Sequence, residues 1–164
     1  MGRPVGADLW DTICHGPGPC YKHQFVVAKL MVHLHLAVES FSSCEVLLSP
    51  FDWKINEDTI VEPDLMVICY FLGDVLFLEK PPELVVEILS PHNREKDLVT
   101  KFDLYRKQKV KYYLVVDADK KEVTIFEYKN DSYQKVGELS MDSFDFELSA
   151  CNFSLDFSRI WPDF

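Results

Sequence analysis

Basic residues are scarce in this 164-residue chain. Lys plus Arg number 17 against 27 Asp plus Glu, so the formal net charge is -10 and the pI is near 4.9. Non-specific coating of nucleic acid by counterion release needs a basic surface, and this balance argues against it. A local basic site, or a carboxylate cluster that holds a metal, stays open. Ordered cysteine motifs are also lacking. The five cysteines stand at 14, 20, 44, 69 and 151 with no repeated spacing and no CxxC pair. A zinc ribbon and a disulfide framework are both disfavoured, and reduced thiols in a cytoplasmic setting are expected. Cys69 falls inside an apolar run and reads as a small core residue. No apolar run approaches the ~20 residues of a membrane helix. No basic start leads into an apolar leader, so a soluble protein is expected. Repeats, low-complexity tracts and a Gly-rich phosphate loop are absent too. The length suits one domain over residues 1–164, with 1–20 as an irregular N-terminal segment.

What is present is a globular composition, 48% hydrophobic and 13% aromatic. The irregular start carries one short strand at most, around Leu9 to Ile13. From Lys22 to Phe41, the residues Val27, Leu30, Met31, Leu34, Val38 and Phe41 recur at spacings of three and four, which predicts an amphipathic helix. Glu45 to Ile55 reads as a strand interrupted by Pro50. Asp64 to Tyr70 and Leu84 to Leu89 read as buried strands, with a turn-like stretch from Leu72 to Pro82 between them. Ser90-Pro91-His92-Asn93 breaks the second strand and offers capping for a helix from about Arg94 to Lys107. Tyr112 to Val116, Glu122 to Tyr128 and Tyr133 to Leu139 form a strand meander. Leu148 to Phe164 is a tail apolar enough to dock on the core. The order implies an α/β class with a central mixed β-sheet flanked by helices.

Three charges break their local pattern. Asp64 opens an apolar strand just after Pro63, where a plain turn carboxylate is the competing reading. Glu87 lies among Leu84, Val85, Val86, Ile88 and Leu89. A buried carboxylate is costly unless it is paired with a base or bound to a metal. If the two strands make a hairpin, Asp64 and Glu87 are equidistant from its turn and lie opposite each other. Opposed Cβ atoms are roughly 5 Å apart. Two carboxylates at that range repel, and a hard cation such as Mg²⁺ or Mn²⁺ relieves the repulsion. Lys101 sits at the edge of the stripe formed by Leu98, Phe102 and Tyr105. It can point back toward Glu87, pair with Asp97 on the helix, or snorkel to water. Two acids and a lysine at one end of a sheet fit metal-assisted hydrolysis of a phosphodiester.

Lys22-His-Gln24, Leu48-Ser-Pro-Phe-Asp52, Glu62-Pro-Asp-Leu65, Leu84-Val-Val-Glu-Ile-Leu-Ser-Pro91, Lys101-Phe-Asp-Leu-Tyr105 and Tyr113-Leu-Val-Val-Asp117 follow one another in this order. Together they resemble the Uma-two family of endonucleases, part of the restriction-endonuclease-like PD-(D/E)XK superfamily, from about Pro17 to Trp161. The resemblance implies Asp64 and Glu87 as metal-binding catalytic carboxylates and Lys101 as a catalytic lysine in a migrated position. The simple motif's lysine position, two after Glu87, is Leu89. Relatives carry a further Glu before their Pro-rich stretch, and the matching place here is near Gly6. His23, Gln24, Ser90, His92 and Arg94 are candidate substrate contacts, although His23 also reads as a histidine of the core or helix start. The expected activity is Mg²⁺- or Mn²⁺-dependent cleavage of DNA by a homodimer. The alternative is a catalytically inactive binding or assembly module of the same fold. A phosphatase would use the same acids but lacks a phosphate-cradling loop.

Overall fold

The computed structural model describes residues 21–89 and 97–163. The expected strand at Leu9 to Ile13, Cys14, Cys20, and Ser90, His92 and Arg94 lie outside the described residues, as do the side chains of Asp97 and Leu98. Helix α1 spans Tyr21–Val38. Its inward side is His23, Val26, Leu30, Leu34 and Val38, each three or four residues on from the last. Val27, Met31 and Phe41, expected on that stripe, flank it half-buried. The helix stops at Val38 rather than Phe41. The Phe41 amide bonds the Val38 carbonyl at 2.9 Å, a tightened last turn in a serine-rich stretch that favours turns over helix.

Six strands form the main sheet: β1 (Glu45–Leu48), β4 (Leu65–Ile68), β5 (Leu84–Ile88), β6 (Tyr112–Asp117), β7 (Glu122–Lys129) and β8 (Ser132–Leu139). They lie in the order β1-β4-β5-β6-β7-β8. Only β5 and β6 run parallel within it, so the sheet is mixed as expected. The parallel pair needs a crossover, and residues 89–111 supply it. Its described part is a π-helical turn, Asp97–Lys101, running into a short α2, Phe102–Lys107.

The alternation of side chains along the strands sorts the core into two layers. Leu65, Val67, Leu84, Val86, Tyr112 and Leu114 face α1. Met66, Ile68, Val85, Tyr113 and Val115 face the other way, toward Tyr105, Phe102 and Trp53. Both layers are buried at the centre, which is why β4 and, apart from Glu87, β5 are apolar rather than alternating.

Two hairpins were not visible in the periodicity. β2 (Trp53–Asn56) pairs with β3 (Thr59–Val61), and β9 (Ser143–Glu147) pairs with β10 (Asn152–Asp156). The second gives the tail from Leu148 onward, expected to dock on the core, a strand of its own. Phe146, Leu148, Phe153 and Leu155 alternate inward and close the open side of the α1 layer, followed by Phe157, Ile160 and Trp161. No helix among the described residues is long and apolar enough to cross a membrane.

Leu34 is fully buried between α1 and the sheet. Leu34→Ala should lower the unfolding free energy by about 3 kcal/mol, lost transfer energy plus a cavity. Leu36→Ala, on the exposed side of the same helix, should change it by no more than about 0.5 kcal/mol. Urea denaturation of the two variants checks the helix orientation, and equal losses would contradict it.

Candidate active site at the Asp64–Glu87 end of the sheet

The β4–β5 register pairs Leu65 with Val86, Met66 with Val85 and Val67 with Leu84. Carried one step outward, the same antiparallel register sets Asp64 opposite Glu87, as the hairpin argument expected. The strands fray at this point. The Asp64 carboxylate, not a ladder carbonyl, accepts the Ile88 amide at 2.7 Å. An acid just after Pro63 is suited to that, because the strand has not yet begun and the side chain can turn back on the neighbouring backbone.

His23 enters from the first turn of α1. Its Nε2 lies 3.3 Å from both Asp64 oxygens, and its ring is buried. The residue belongs to the inward stripe, as the core-histidine reading expected, and its ring also touches Asp64. Its Nδ1 is buried with no hydrogen-bond partner among the described residues. Gln24, the next residue, is exposed.

Glu87 is enclosed on the opposite layer from α1. Its side chain is 3% exposed. Lys101 Nζ lies 2.6 Å from Oε2, and the Tyr105 hydroxyl donates to Oε1 at 2.6 Å. Lys101 is thus not a snorkelling surface residue; its side chain is 24% exposed and its ammonium is aimed inward. Lys101 and Tyr105 are four apart, so a helical turn brings both onto one carboxylate. The π turn that ends at Lys101 is itself a feature met often at functional sites. Tyr105 is held by stacking on Trp53, at 5.8 Å between ring centroids and 16° between planes, and by an edge contact with Tyr113 at 5.2 Å. The role of Tyr105 as a hydrogen-bond donor to Glu87 was missed. Its only signal was the four-residue step from Lys101.

Burial pushes the Glu87 carboxyl up from its ordinary 4.5 to about 7. Lys101 and Tyr105 oppose that rise, while the nearby Asp64 charge adds to it. A carboxylate whose ionisation is opposed by the charge of a neighbouring carboxylate suits a hard divalent cation, which prefers such oxygen donors. The donor chemistry of Asp64 and Glu87 therefore fits Mg²⁺ or Mn²⁺.

The surrounding basic residues are partly spent on local pairs. Arg106 contacts Asp103 at 3.4 Å, and Lys111 donates to the Glu147 carbonyl.

With the site described, its relatives become informative. The fold is shared with the crystal structure of a protein described as a putative nuclease belonging to DUF820, from Anabaena variabilis. The TM-score is 0.71 at 14% identity, over 88% of this chain and 83% of that one. The chain belongs to the Uma2 family, described as "Putative restriction endonuclease", whose pattern matches residues 12–155. No curated protein matches the chain.

The raised Glu87 value has a consequence for stability. Between pH 4.5 and about 7 the folded protein holds a proton that the unfolded chain has released. That contribution is present at low pH and is lost as pH rises through about 7. In EDTA, wild type should lose stability relative to Glu87→Gln from about pH 5 to about pH 8, as read by urea midpoints. Parallel curves for the two proteins would show that Glu87 does not carry the burial cost.

Proposed function

We propose that this chain is a divalent-metal-dependent endonuclease that hydrolyses phosphodiester bonds in DNA. The observation that carries the reading is the buried Glu87 carboxylate, bonded to Lys101 and Tyr105 at the sheet end where Asp64 stands in register. Family membership supports the same reading. Asp64 and Glu87 would hold Mg²⁺ or Mn²⁺, and when bound the ion supplies Lewis acidity at the phosphoryl oxygen and acidifies water.

The chain's own residues do the rest. Tyr105, clamped by Trp53, fixes the Glu87 carboxylate. His23 and the Ile88 amide fix that of Asp64. Lys101 is the cation of the set. It is placed to orient the attacking water or to offset negative charge as it builds on the phosphate. Water forms the new P–O bond, and one ester oxygen leaves. Gln24 is a proposed substrate contact, as are Ser90, His92 and Arg94, which lie outside the described residues. The acidic surface makes DNA binding weak and salt-sensitive, confined to the face near α2. A homodimer goes with this reading, since two sites serve two strands. Reduced thiols go with a cytoplasmic setting.

Supercoiled plasmid, single-stranded DNA and RNA incubated with the protein and Mg²⁺ or Mn²⁺ test the reading. DNA should be cut, and EDTA should stop it. Glu87→Gln and Asp64→Asn should abolish cutting while keeping the folded far-ultraviolet spectrum, and Lys101→Met should slow it by about 100-fold or more. Intact DNA under all metal conditions, with no heat of Mg²⁺ or Mn²⁺ binding in calorimetry, would favour the inactive binding module instead.

A further inference from the structure

Cys44, Cys69 and Cys151 are distant in sequence but meet in space. Their three sulfurs all lie within 4.8 Å of one another. Sγ of Cys44 and Sγ of Cys69 are 3.2 Å apart, and Cys69 and Cys151 are 3.9 Å apart. All three are free thiols. Each comes from a different part of the fold. Cys44 ends the turn after α1, Cys69 follows β4, and Cys151 lies in the turn between β9 and β10.

We propose that these three cysteines form a binding site for one soft, thiophilic cation, Cu(I) or Zn(II), independent of the carboxylate centre. The first argument is geometric. Sulfurs held at ~2.3 Å from a single ion, in a trigonal plane around it, are ~4.0 Å apart from one another. Spacings of 3.2 and 3.9 Å, with the third within 4.8 Å, lie within about 1 Å of that value, so one ion fits with small movements of the side chains. The second is that the backbone at two of the three, Cys44 and Cys151, is already held by hydrogen bonds. The Cys44 amide bonds the Phe41 carbonyl at 3.1 Å, and the Cys151 carbonyl accepts the Leu148 amide at 2.8 Å. Glu83, at the foot of β5, accepts the Ser149 amide at 2.7 Å and the Ser149 hydroxyl, which pins the turn that carries Cys151. The third is the ligand set. Thiolates select soft and borderline ions over Mg²⁺. Cys44 and Cys151 are buried, while Cys69 is half-buried and gives access from solvent.

The competing view is that three thiols simply fill a core. Burial does push Cys44 and Cys151 up to about 11 and Cys69 up to about 12. Without an ion they therefore remain protonated and behave as small apolar groups. That describes the empty state of a thiolate site equally well, because an ion displaces the protons when it binds. The site also has a structural consequence. The β9–β10 hairpin shares no hydrogen-bond ladder with the six-stranded sheet. An ion held by Cys151, Cys44 and Cys69 would fasten it to the β1–β4 edge.

The test is an anaerobic titration of the reduced full-length protein with Cd(II), a spectroscopic probe for thiolate sites. A thiolate-to-cadmium charge-transfer band should grow and saturate at one ion per chain, and the melting temperature should rise with it. Both changes should vanish in Cys69→Ala and Cys151→Ala, and both should persist in Cys14→Ala/Cys20→Ala and in Glu87→Gln. No band, or a band that Cys69→Ala keeps, would overturn the proposal. So would a band lost in the Cys14→Ala/Cys20→Ala protein. If the alanine variants fail to fold, alkylation of wild type decides. Stoichiometric Cd(II) should protect Cys44, Cys69 and Cys151 together, as read by peptide mass spectrometry. Free alkylation of these three, or a Cys44–Cys69 disulfide in the protein as purified, would count against the site.

Discussion

A carboxylate buried in the middle of a sheet is the constraint around which this end of the molecule is arranged. Glu87 occupies a strand whose every residue is buried, and an isolated ionised group there would be prohibitively unfavourable. The fold answers with two donors from one helical turn, Lys101 and Tyr105, each at 2.6 Å. That answer fixes much else. It sets the position of α2 along the crossover. It requires the π turn to end where Lys101 can reach inward. It makes Trp53 and Tyr113 supporting groups, since Tyr105 must be held in place to donate. Replacing the three polar groups by apolar ones of similar size would, on general grounds, cost little stability or even add some. Burial of an acid that pushes its own carboxyl up to about 7 is thus poorly explained as a stabilising device and better explained by chemistry at the site.

Much of this was legible before any coordinates. Glu87 stood out because it interrupted an otherwise apolar strand. The equal distance of Asp64 and Glu87 from the intervening turn anticipated the observed β4–β5 register. Lys101 could be placed at the edge of a helical stripe by counting. What stayed hidden has physical reasons. The β9–β10 hairpin alternates with aromatic residues on its inner side, but it is short and lies in a segment whose apolar content also suits a docked tail. Leu30, Leu34 and Val38 of the α1 stripe were legible, but Val27 was read in place of Val26, because the two are equally apolar and only the packing partners choose between them. The contact of His23 with Asp64 joins residues 41 positions apart, and no local period reports such a pair. The cysteine cluster escaped for the same reason, since spacing rules detect ligands close in sequence and these three are gathered by topology.

The two ends of β4 present opposite chemistries. Asp64 precedes its first residue and offers oxygen. Cys69 follows its last and offers sulfur. Five residues of extended chain separate them by ~16 Å. On the two proposals together, a hard and a soft site would stand at opposite ends of this one strand. Late first-row ions bind carboxylate and imidazole groups more tightly than Mg²⁺ does, so a stray Zn(II) could occupy Asp64 with His23 alongside. A set of three thiols offers such an ion a better match of softness and draws it to the far end of the strand. Mg²⁺, a poor partner for sulfur, is left to compete only for the oxygen end. Hard and soft sites on one strand therefore need not interfere, and the thiol cluster can secure the β9–β10 hairpin without disturbing the Glu87 centre.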